Sequence, residues 1–360
     1  MLEIRPDNKA EPATDGRKEK RLIKCVVWDL DDTLWEGVLL EDAEVRLRES
    51  VVEIIKTLDA RGILQSVASK NDHTKTMAML EAMGLREFFL YPQINWNSKA
   101  SSIKSIAALL NIGMDSIAFI DDQSFERDEV NFSLPDVLCI DTANLGDLLD
   151  MPEMMPRFIT EDSRVRRLMY ISDMERKRAE EEFIGPKEEF LATLDMVFTI
   201  SSAKEEDLKR AEELTVRTHQ LNTTGRTYSY DELNYFRRSD RHILLVSSLE
   251  DVYGSYGKVG LALIECLPEV WTIRLLLMSC RVMSRGVGTI LISHIMKLAK
   301  SGNARLRAEF VSNNRNRMMY ITYKFAGFRE AEKVDDLIVF ESDLTRIQPF
   351  ADYVRVEILD

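Results

Sequence analysis

The stretch CVVWDLDDT at residues 25–33 decides the fold of the first half of the chain. Its apolar residues predict a buried β-strand, and its acidic residues stand where that strand ends. Because side chains alternate along an extended backbone, Asp29 and Asp31 point to one side while Leu30 turns into the core. Two such carboxylates suit Mg²⁺, and they provide one nucleophile and one general acid/base. Taken alone, the stretch is also compatible with a simple acidic turn.

Short apolar runs alternate with helical patterns from residue 24 to residue 141. The sequence predicts strands at 24–29, 64–69, 117–121 and 137–140, with helices at 49–61, 74–83, 99–110 and 125–132. This alternation is typical of βαβ units around a parallel sheet. Ligands of such folds bind at the carboxyl ends of the strands, and Asp29 and Asp121 each end a predicted strand.

Polar residues also follow the second predicted strand. Ser69, Lys70 and Asn71 stand where that strand gives way to a helix. A hydroxyl or amide group there can bind phosphate beside the amides of the helix N-terminus. The same residue types also cap helices, and both roles are compatible.

A lysine and an acidic pair complete the candidate site of the first half. Lys99 begins a predicted helix, where the helix dipole does not favour a cation, so we expect it to neutralise a phosphoryl group in transfer. Asp121 and Asp122 end a predicted strand. Together with Asp29 and Asp31 they form the predicted Mg²⁺ ligands.

The second half of the chain has a different pattern. A highly charged stretch at 151–190 predicts a helical connector between two domains. Consecutive strands are then predicted at 242–247, 259–266 and 272–279, joined by short turns. Such a succession indicates an antiparallel meander and an α+β domain.

A glycine-bearing turn precedes a predicted helix in this domain. Arg285, Gly286 and Gly288 match the end of the acyl-CoA loop (R/Q-x-x-G-x-G/A) of the N-acetyltransferase-like (GNAT) fold. Backbone N–H groups of such a turn bind pyrophosphate. Met283 stands where the family has Arg or Gln, so we expect this turn, with Arg281, to bind a phosphopantetheine arm rather than CoA. A simple turn between strand and helix is the alternative.

Two side chains of the second half are candidates for reactivity. Cys280 ends a predicted strand beside a cation and a helix N-terminus, which lower the pKa of a thiol, so it is either an acyl-carrying nucleophile or a small core residue. His219 lies in the polar loop at 219–225 and is a candidate general base. The remaining cysteines are predicted to lie in the core: Cys25, Cys139 and Cys266.

Composition narrows the class of protein. The 360 residues, 45% hydrophobic and 30% charged, predict two globular domains. Widely spaced cysteines and a polar N-terminus predict no zinc site, disulfide or secretion signal, and hence a cytoplasmic protein. The net charge of −13 argues against nucleic-acid binding, and the lack of a long apolar stretch argues against a membrane span. Residues 271–330 nevertheless carry 11 Lys/Arg against two acids, which predicts a basic surface for an anionic partner.

In their order along the chain, these motifs resemble the FkbH-like proteins of polyketide biosynthesis. The matching stretches are WDLDDTLW (28–35), SKND (69–72), INW (94–96), FIDD (119–122), RTHQLN (217–222) and MSCRV (278–282). The resemblance implies a Rossmann-like haloacid dehalogenase domain of subfamily IIIC followed by a GNAT-like domain, with Thr33 among the phosphate-binding residues. Asp32, Glu36 and His219 replace the usual Asn, Gly and Asn, so substrate choice and the role of the 219–225 loop are expected to differ.

The resemblance also implies an activity. Such an enzyme uses Mg²⁺ to remove phosphate from D-1,3-bisphosphoglycerate and loads a glyceryl group onto the phosphopantetheine thiol of an acyl carrier protein. The alternative is a Mg²⁺-dependent phosphatase whose C-terminal domain only docks a carrier protein. The expected organisation is an N-terminal tail (1–22), a dehalogenase-like domain (23–150), a connector (151–190), a GNAT-like domain (191–345) and a C-terminal segment (346–360).

Overall fold

The structure, a computed structural model, describes residues 22–42 and 44–359. The predicted tail therefore lies outside the described residues except for Leu22. Within the described ranges, no helix combines the length and the apolar character needed to cross a bilayer. Each half of the chain contributes one large sheet.

The first half forms a five-stranded parallel sheet. In chain order its elements are β1 (Cys25–Trp28), β2 (Trp35–Glu36), β3 (Arg46–Leu47), α1 (Glu49–Ala60), β4 (Leu64–Ser69), α2 (His73–Ala82), β5 (Gln93–Ile94), α3 (Lys99–Leu110), β6 (Ile117–Asp121), α4 (Ser124–Ser133) and β7 (Leu138–Asp141). The strand order is β5-β4-β1-β6-β7, and β2 and β3 form a separate ribbon. All pairs in the large sheet are parallel, which confirms the predicted Rossmann-like α/β fold.

Strand β1 is the centre of this sheet. Its alternate side chains pack into apolar clusters on opposite faces of the sheet. A strand buried on both faces requires the continuous apolar run that the sequence contains. Trp28 of β1 is level with Ile120 of β6. The following residues, Asp29 and Asp121, therefore stand side by side at the carboxyl edge.

The charged connector is helical, as its composition predicts. It contains α5 (Glu161–Arg164), α6 (Arg166–Glu182) and α7 (Lys187–Thr193). Helix α6 packs against the second domain through the buried Arg176, whose Nε donates to Asp251 Oδ2 at 2.7 Å. The guanidinium carbon lies 3.8 Å from the centre of the Tyr256 ring. The connector is thus a packed element of the molecule.

The second half forms an eight-stranded mixed sheet. Its elements are β8 (Met196–Ser202), α8 (Leu208–Arg217), α9 (Tyr230–Arg238), β9 (His242–Asp251), β10 (Gly254–Cys266), β11 (Val270–Met278), α10 (Val287–Ser301), β12 (Arg305–Val311), α11 (Arg317–Phe325), β13 (Arg329–Val334), β14 (Leu337–Ser342) and β15 (Val354–Leu359). The strand order is β13-β14-β12-β11-β10-β9-β8-β15. Strands β8 to β11 form the predicted antiparallel meander, so the α+β fold class is confirmed. Strand β15 lies in the segment 346–360, which the sequence predicts to follow the GNAT-like domain, yet it pairs in parallel with β8 of that domain.

The second domain packs against the amino-terminal edge of the first sheet. Lys24, which precedes β1, donates from Nζ to the Arg217 carbonyl at 3.3 Å. Arg166 of α6 donates from Nη1 to the Gly62 carbonyl, shortly before β4, at 3.2 Å. The same arginine pairs with Glu213 of α8. The acidic strand ends lie at the opposite, carboxyl edge of that sheet.

Candidate active site

A buried lysine joins two carboxylates at the carboxyl edge of the first sheet. Lys99, at the start of α3, pairs with Asp29 and, at 3.1 Å, with Asp121 Oδ2. Its Nζ also donates to the Ala68 carbonyl at 2.9 Å. All three charged side chains are buried. The structure thus brings together three of the predicted site residues, drawn from two neighbouring strand ends and one helix start.

Three carboxylates form a group that a cation fits. Asp29, Asp121 and Asp122 each place one oxygen within 4.8 Å of the others. Asp121 Oδ2 is buried and lies 3.1 Å from the Lys99 ammonium, which it shares with Asp29. One ammonium group cannot neutralise three neighbouring carboxylates, and buried charge that stays uncompensated is costly unless a further cation faces it. Carboxylates are the ligands that Mg²⁺ prefers, so these residues fit the predicted ion.

Burial and neighbouring charges set the protonation of this group. Burial raises the pKa of Asp29, Lys99 lowers it and Asp121 raises it again. The pKa of Asp29 is therefore higher than that of an ordinary aspartate. Burial likewise raises the pKa of Asp121 against the effect of Lys99. Burial alone would lower the pKa of Lys99, but the two carboxylates outweigh it and raise that pKa. Lys99 therefore stays an ammonium ion, while the carboxylates gain from a second cation.

Asp31 is not one of the three carboxylates that lie within 4.8 Å of one another, and its role as a metal ligand stays a prediction. Asp31 Oδ1 accepts hydrogen bonds from Trp35 Nε1 at 2.8 Å and from the Leu39 backbone N–H at 3.0 Å. Its Oδ2 accepts from Asn71 Nδ2 at 3.0 Å. The chain turns at residues 31–34, so the alternation of an extended strand does not continue past Asp29. The role of Asp31 as acid/base stays a prediction, and its three donors hold it in one orientation.

Thr33 supports the carboxylate group. The Asp122 backbone N–H donates to Thr33 Oγ1 at 3.1 Å, and the hydroxyl lies 3.4 Å from Asp122 Oδ1. Thr33 is fully buried. Its geometry shows how it positions Asp122, and its predicted contact with phosphate stays a prediction.

The motif at residues 69–71 reaches the same edge of the sheet. Ser69 is the buried last residue of β4, and Asn71 holds Asp31. Lys70 pairs with Glu126 of α4 at 2.6 Å. Glu126 is not among the predicted site residues, although its place in the first turn of the helix after the acidic pair was the available signal. Phosphate binding by residues 69–71 stays a prediction.

Cys280 opens a single 3₁₀ turn after β11. Its Sγ lies 3.8 Å from Gln220 Oε1, and the residue is half-buried. Burial raises the pKa of the thiol, and the charges of Lys24 and Arg281 offset only part of that rise. The predicted lowering of this pKa is therefore wrong, because burial outweighs the neighbouring cations.

Asp29 and Cys280 belong to separate sites. Lys24 precedes β1 and is close enough to Cys280 for the two charges to interact, whereas Asp29 follows β1. Five residues of extended chain separate Lys24 from Asp29, which is about 16 Å. A group bound at Asp29 cannot reach the thiol without leaving its site.

The glycine turn before α10 has the conformation that its sequence predicts. Gly286 adopts a φ of +78°, where glycine is favoured, and caps the helix. A Cβ atom there would lie 2.5 Å from the Tyr353 hydroxyl. Gly288 lies in the first turn of α10.

The two arginines of this turn point toward the connector helix. Arg285 is buried and pairs with Glu180 of α6 at 3.2 Å. Arg281 Nη1 lies 2.6 Å from the Met169 sulfur, also on α6. Both arginines contact the connector, and their predicted role in pantetheine binding stays a prediction.

The chain itself fills the gap where β11 and β12 diverge. These parallel strands pair over only four residues each. Beyond them, the Thr223 N–H donates to the Leu276 carbonyl at 3.0 Å, and the Met278 N–H donates to the Leu221 carbonyl at 2.9 Å. The Val311 N–H donates to the Thr223 carbonyl at 2.9 Å. Segment 221–223 thus uses the backbone groups that an extended ligand would need there.

His219 lies exposed on the loop that precedes this segment. Its carbonyl accepts a hydrogen bond from Asn313 Nδ2 at 3.5 Å. The next residue, Gln220, contacts Cys280. The loop therefore passes near the thiol, and the role of His219 as general base stays a prediction.

Comparisons with solved structures give matches that each cover about two fifths of the chain. No family model and no curated protein matches the chain. The N-terminal part of BF1531 from Bacteroides fragilis, which contains a phosphatase domain complexed with Mg, is 29% identical over 38% of this chain and 41% of that one, with a TM-score of 0.35. The chain thus spans about two fifths of that structure.

Two N-acetyltransferases also match. The ribosomal-protein-S18-alanine N-acetyltransferase from Escherichia coli is 20% identical over 42% of this chain and 97% of its own, with a TM-score of 0.33. An N-acetyltransferase from Staphylococcus aureus Mu50 is 19% identical over 41% and 99% of the two chains, with a TM-score of 0.32.

Proposed function

We propose that the first domain is a magnesium-dependent phosphotransferase that uses Asp29 to release phosphate. The observation that carries this proposal is the buried Lys99 shared by Asp29 and Asp121 at a carboxyl sheet edge. Burying such a group costs more than packing apolar residues of similar size. A site where a metal ion and an anionic substrate meet explains why the charges are there.

Each residue of the site has its own role in the proposed reaction. Asp29 attacks phosphorus, and the bond from phosphorus to the leaving oxygen breaks. Asp31, held by its three donors, gives a proton to that oxygen and then takes one from the water that hydrolyses the phospho-aspartate. Lys99 neutralises charge on the phosphoryl oxygens. Mg²⁺, when bound by Asp29, Asp121 and Asp122, offsets repulsion between these carboxylates and the phosphate.

The FkbH-like resemblance supports a specific substrate, D-1,3-bisphosphoglycerate. This molecule carries a phosphomonoester at C3 and an acyl phosphate at C1, and we assign the monoester to Asp29. The acyl phosphate retains the activation needed to form a thioester: the pantetheine thiol attacks the C1 carbonyl carbon, the bond from C1 to the phosphate oxygen breaks, and inorganic phosphate leaves. The proposed product is a glyceryl group on the phosphopantetheine thiol of an acyl carrier protein, for a polyketide extender unit.

An acidic carrier protein suits the exposed cations of the second domain. Not every cation of the segment 271–330 is free to bind a partner, because Arg274, Arg305 and Arg307 pair with glutamates. Arg315 and Arg317 are exposed beside the start of α11. We place the docking face around these two residues.

A phosphatase with a docking domain is the second candidate. Two observations favour it: segment 221–223 fills the gap between β11 and β12, and Cys280 lies at the opposite sheet edge from Asp29. Both limit the ways in which the second domain can take part in acyl transfer.

One experiment separates the two candidates. The protein is incubated with D-1,3-bisphosphoglycerate, Mg²⁺ and a phosphopantetheinylated carrier protein, while released phosphate and the intact mass of both proteins are measured. Glyceryl loading predicts a carrier thioester that hydroxylamine removes, and the second candidate predicts phosphate release alone. Asp29→Asn should lose phosphate release from C3, and the exposed Asp147→Asn should keep it. Full release by the Asp29 variant would rule out both candidates.

A further inference from the structure

Five cations gather where the two domains meet. Three carboxylates lie among them, Asp115, Asp162 and Glu213. The group therefore has an excess of positive charge within the described ranges. The cations come from the residue before β1, from α6, from α8 and from the turn after β11: Lys24, Arg166, Arg210, Arg217 and Arg281.

The carboxylates do not neutralise these cations equally. Glu213 pairs with Arg166, with Arg210 at 2.8 Å and with Arg217 at only 3.8 Å. Burial would raise the pKa of Glu213, but the arginines hold that pKa well below its usual range, so it stays ionised. Across the described residues, no ion pair joins Arg281 to a carboxylate, and its guanidinium contacts a methionine sulfur instead. Among the described residues, Lys24 likewise contacts a backbone carbonyl rather than a carboxylate, so Lys24, Arg281 and, with its one distant pair, Arg217 are the least compensated.

These side chains form a cationic junction between the domains, and solvent reaches part of it. Lys24, Arg217, Arg281 and Cys280 are all half-buried, with atoms of both domains near them. Burial, followed by repulsion from neighbouring arginines, lowers the pKa of Lys24 to about 8. The same two causes lower the pKa of Arg217 to about 9 and that of Arg281 to about 10. Mutually repelling cations at a partly desolvated junction favour an anion.

We propose that this cationic junction binds the phosphate group of a ligand beside the Cys280 thiol. A phosphomonoester carries nearly two negative charges, which suits the excess here. The guanidinium forks of Arg217 and Arg281 match phosphate oxygens, and Lys24 adds a point charge. The site lies at the opposite sheet edge from Asp29, so it does not depend on the phosphate release proposed there. A small phosphorylated acid presents such a monoester, and the phosphopantetheine arm of a carrier protein presents a phosphodiester with one negative charge.

Alkylation of Cys280 reports on the cationic junction directly. The full-length protein, free of Mg²⁺, is treated with iodoacetamide at mildly alkaline pH, and the modified tryptic peptides are quantified, with the Cys266 peptide as internal reference. Inorganic phosphate is compared with chloride at equal ionic strength. Since protection follows 1 + [L]/Kd, phosphate at ten times its Kd should slow Cys280 alkylation about tenfold.

Matched variants locate the effect. Arg281→Gln should lose the protection, and the exposed Arg305→Gln should keep it. If circular dichroism shows that Arg281→Gln is unfolded, Lys24→Gln takes its place. Asp29→Asn should be protected like the wild type, which separates this site from the proposed phosphotransferase site whatever the activity of that variant.

Each outcome decides the proposal. Stronger protection by 3-phosphoglycerate than by phosphopantetheine identifies a small phosphorylated acid as the source, and the reverse order identifies the carrier arm. Equal protection by chloride and phosphate, or protection that survives Arg281→Gln and Lys24→Gln, overturns the proposal. Absence of protection in the wild type overturns it as well, and leaves the cations with the sole role of joining the domains.

Discussion

Replacing Lys99 by methionine tests whether the first domain is built around a charge cluster. Methionine keeps the length and the apolar stem of the side chain but removes the ammonium group. Asp29 and Asp121 then lose their shared ion pair, and the Ala68 carbonyl loses a donor at 2.9 Å. Two buried carboxylates remain close together without a cation.

The expected loss follows from this burial. Breaking a buried ion pair by removing one partner costs about 3–5 kcal/mol. For a domain of this size that corresponds to a fall in Tm of roughly 10–20 °C. Without Lys99, the pKa values of Asp29 and Asp121 rise further, so the folded state holds more protons than the unfolded state. The free energy of unfolding then decreases as pH rises above the ordinary carboxylate pKa of 3.8, and the defect should be larger at pH about 8 than at about 5.

Thermal unfolding with and without Mg²⁺ provides the assay. Because Mg²⁺ would take over the neutralisation of the carboxylates, it should raise the Tm of Lys99→Met more than that of the wild type. The control is Lys104→Met, an exposed lysine on the same helix, which should change Tm little. Equal Tm values for Lys99→Met and the wild type, or equal responses to Mg²⁺, would refute the proposed cluster.

Three further changes test the rest of the site and the proposed partner. Asp121→Asn should shift phosphate release to higher Mg²⁺ concentration, measured as a metal titration of activity, since the carboxylate group loses one charged ligand. Cys280→Ser should release phosphate at the wild-type rate, because the thiol lies beyond the opposite sheet edge. If this variant lost phosphate release as Asp29→Asn does, Cys280 and Asp29 would belong to one site. Reversing Arg315 and Arg317 to Glu should slow association with an acidic carrier protein and flatten its salt dependence, measured by stopped flow. An unchanged rate at low salt would place the docking face elsewhere.

Local signals were sufficient to predict both folds. The continuous apolar run of β1 indicates a strand buried on both faces, which is what a central parallel strand requires. Asp29 and Asp121 meet because carboxyl ends of neighbouring parallel strands share one edge, and Lys99 joins them from the start of α3. This part of the site follows from sequence order and sheet geometry alone.

The failures come from contacts that no local pattern encodes. Asp31 lies in a turn, so its hydrogen bonds from Trp35 and Asn71 could not be predicted from the strand pattern. The direction of Arg281 depends on where α6 packs, and the pKa of Cys280 depends on how deeply both domains enclose it. Each of these features is set by the packing of segments that are distant in sequence.

The placement of the domains constrains how a two-step reaction can proceed. If both proposals hold, a phosphomonoester is hydrolysed at the carboxyl edge of the first sheet, and a phosphate group is bound beside Cys280 at the amino-terminal edge. The strand between Lys24 and Asp29 separates these places by about 16 Å. No single bound substrate of glycerate size spans that distance, so an intermediate must be released or carried between them. A phosphopantetheine arm is long and flexible enough to serve as that carrier, which is a physical reason for a carrier protein to participate rather than a free thiol.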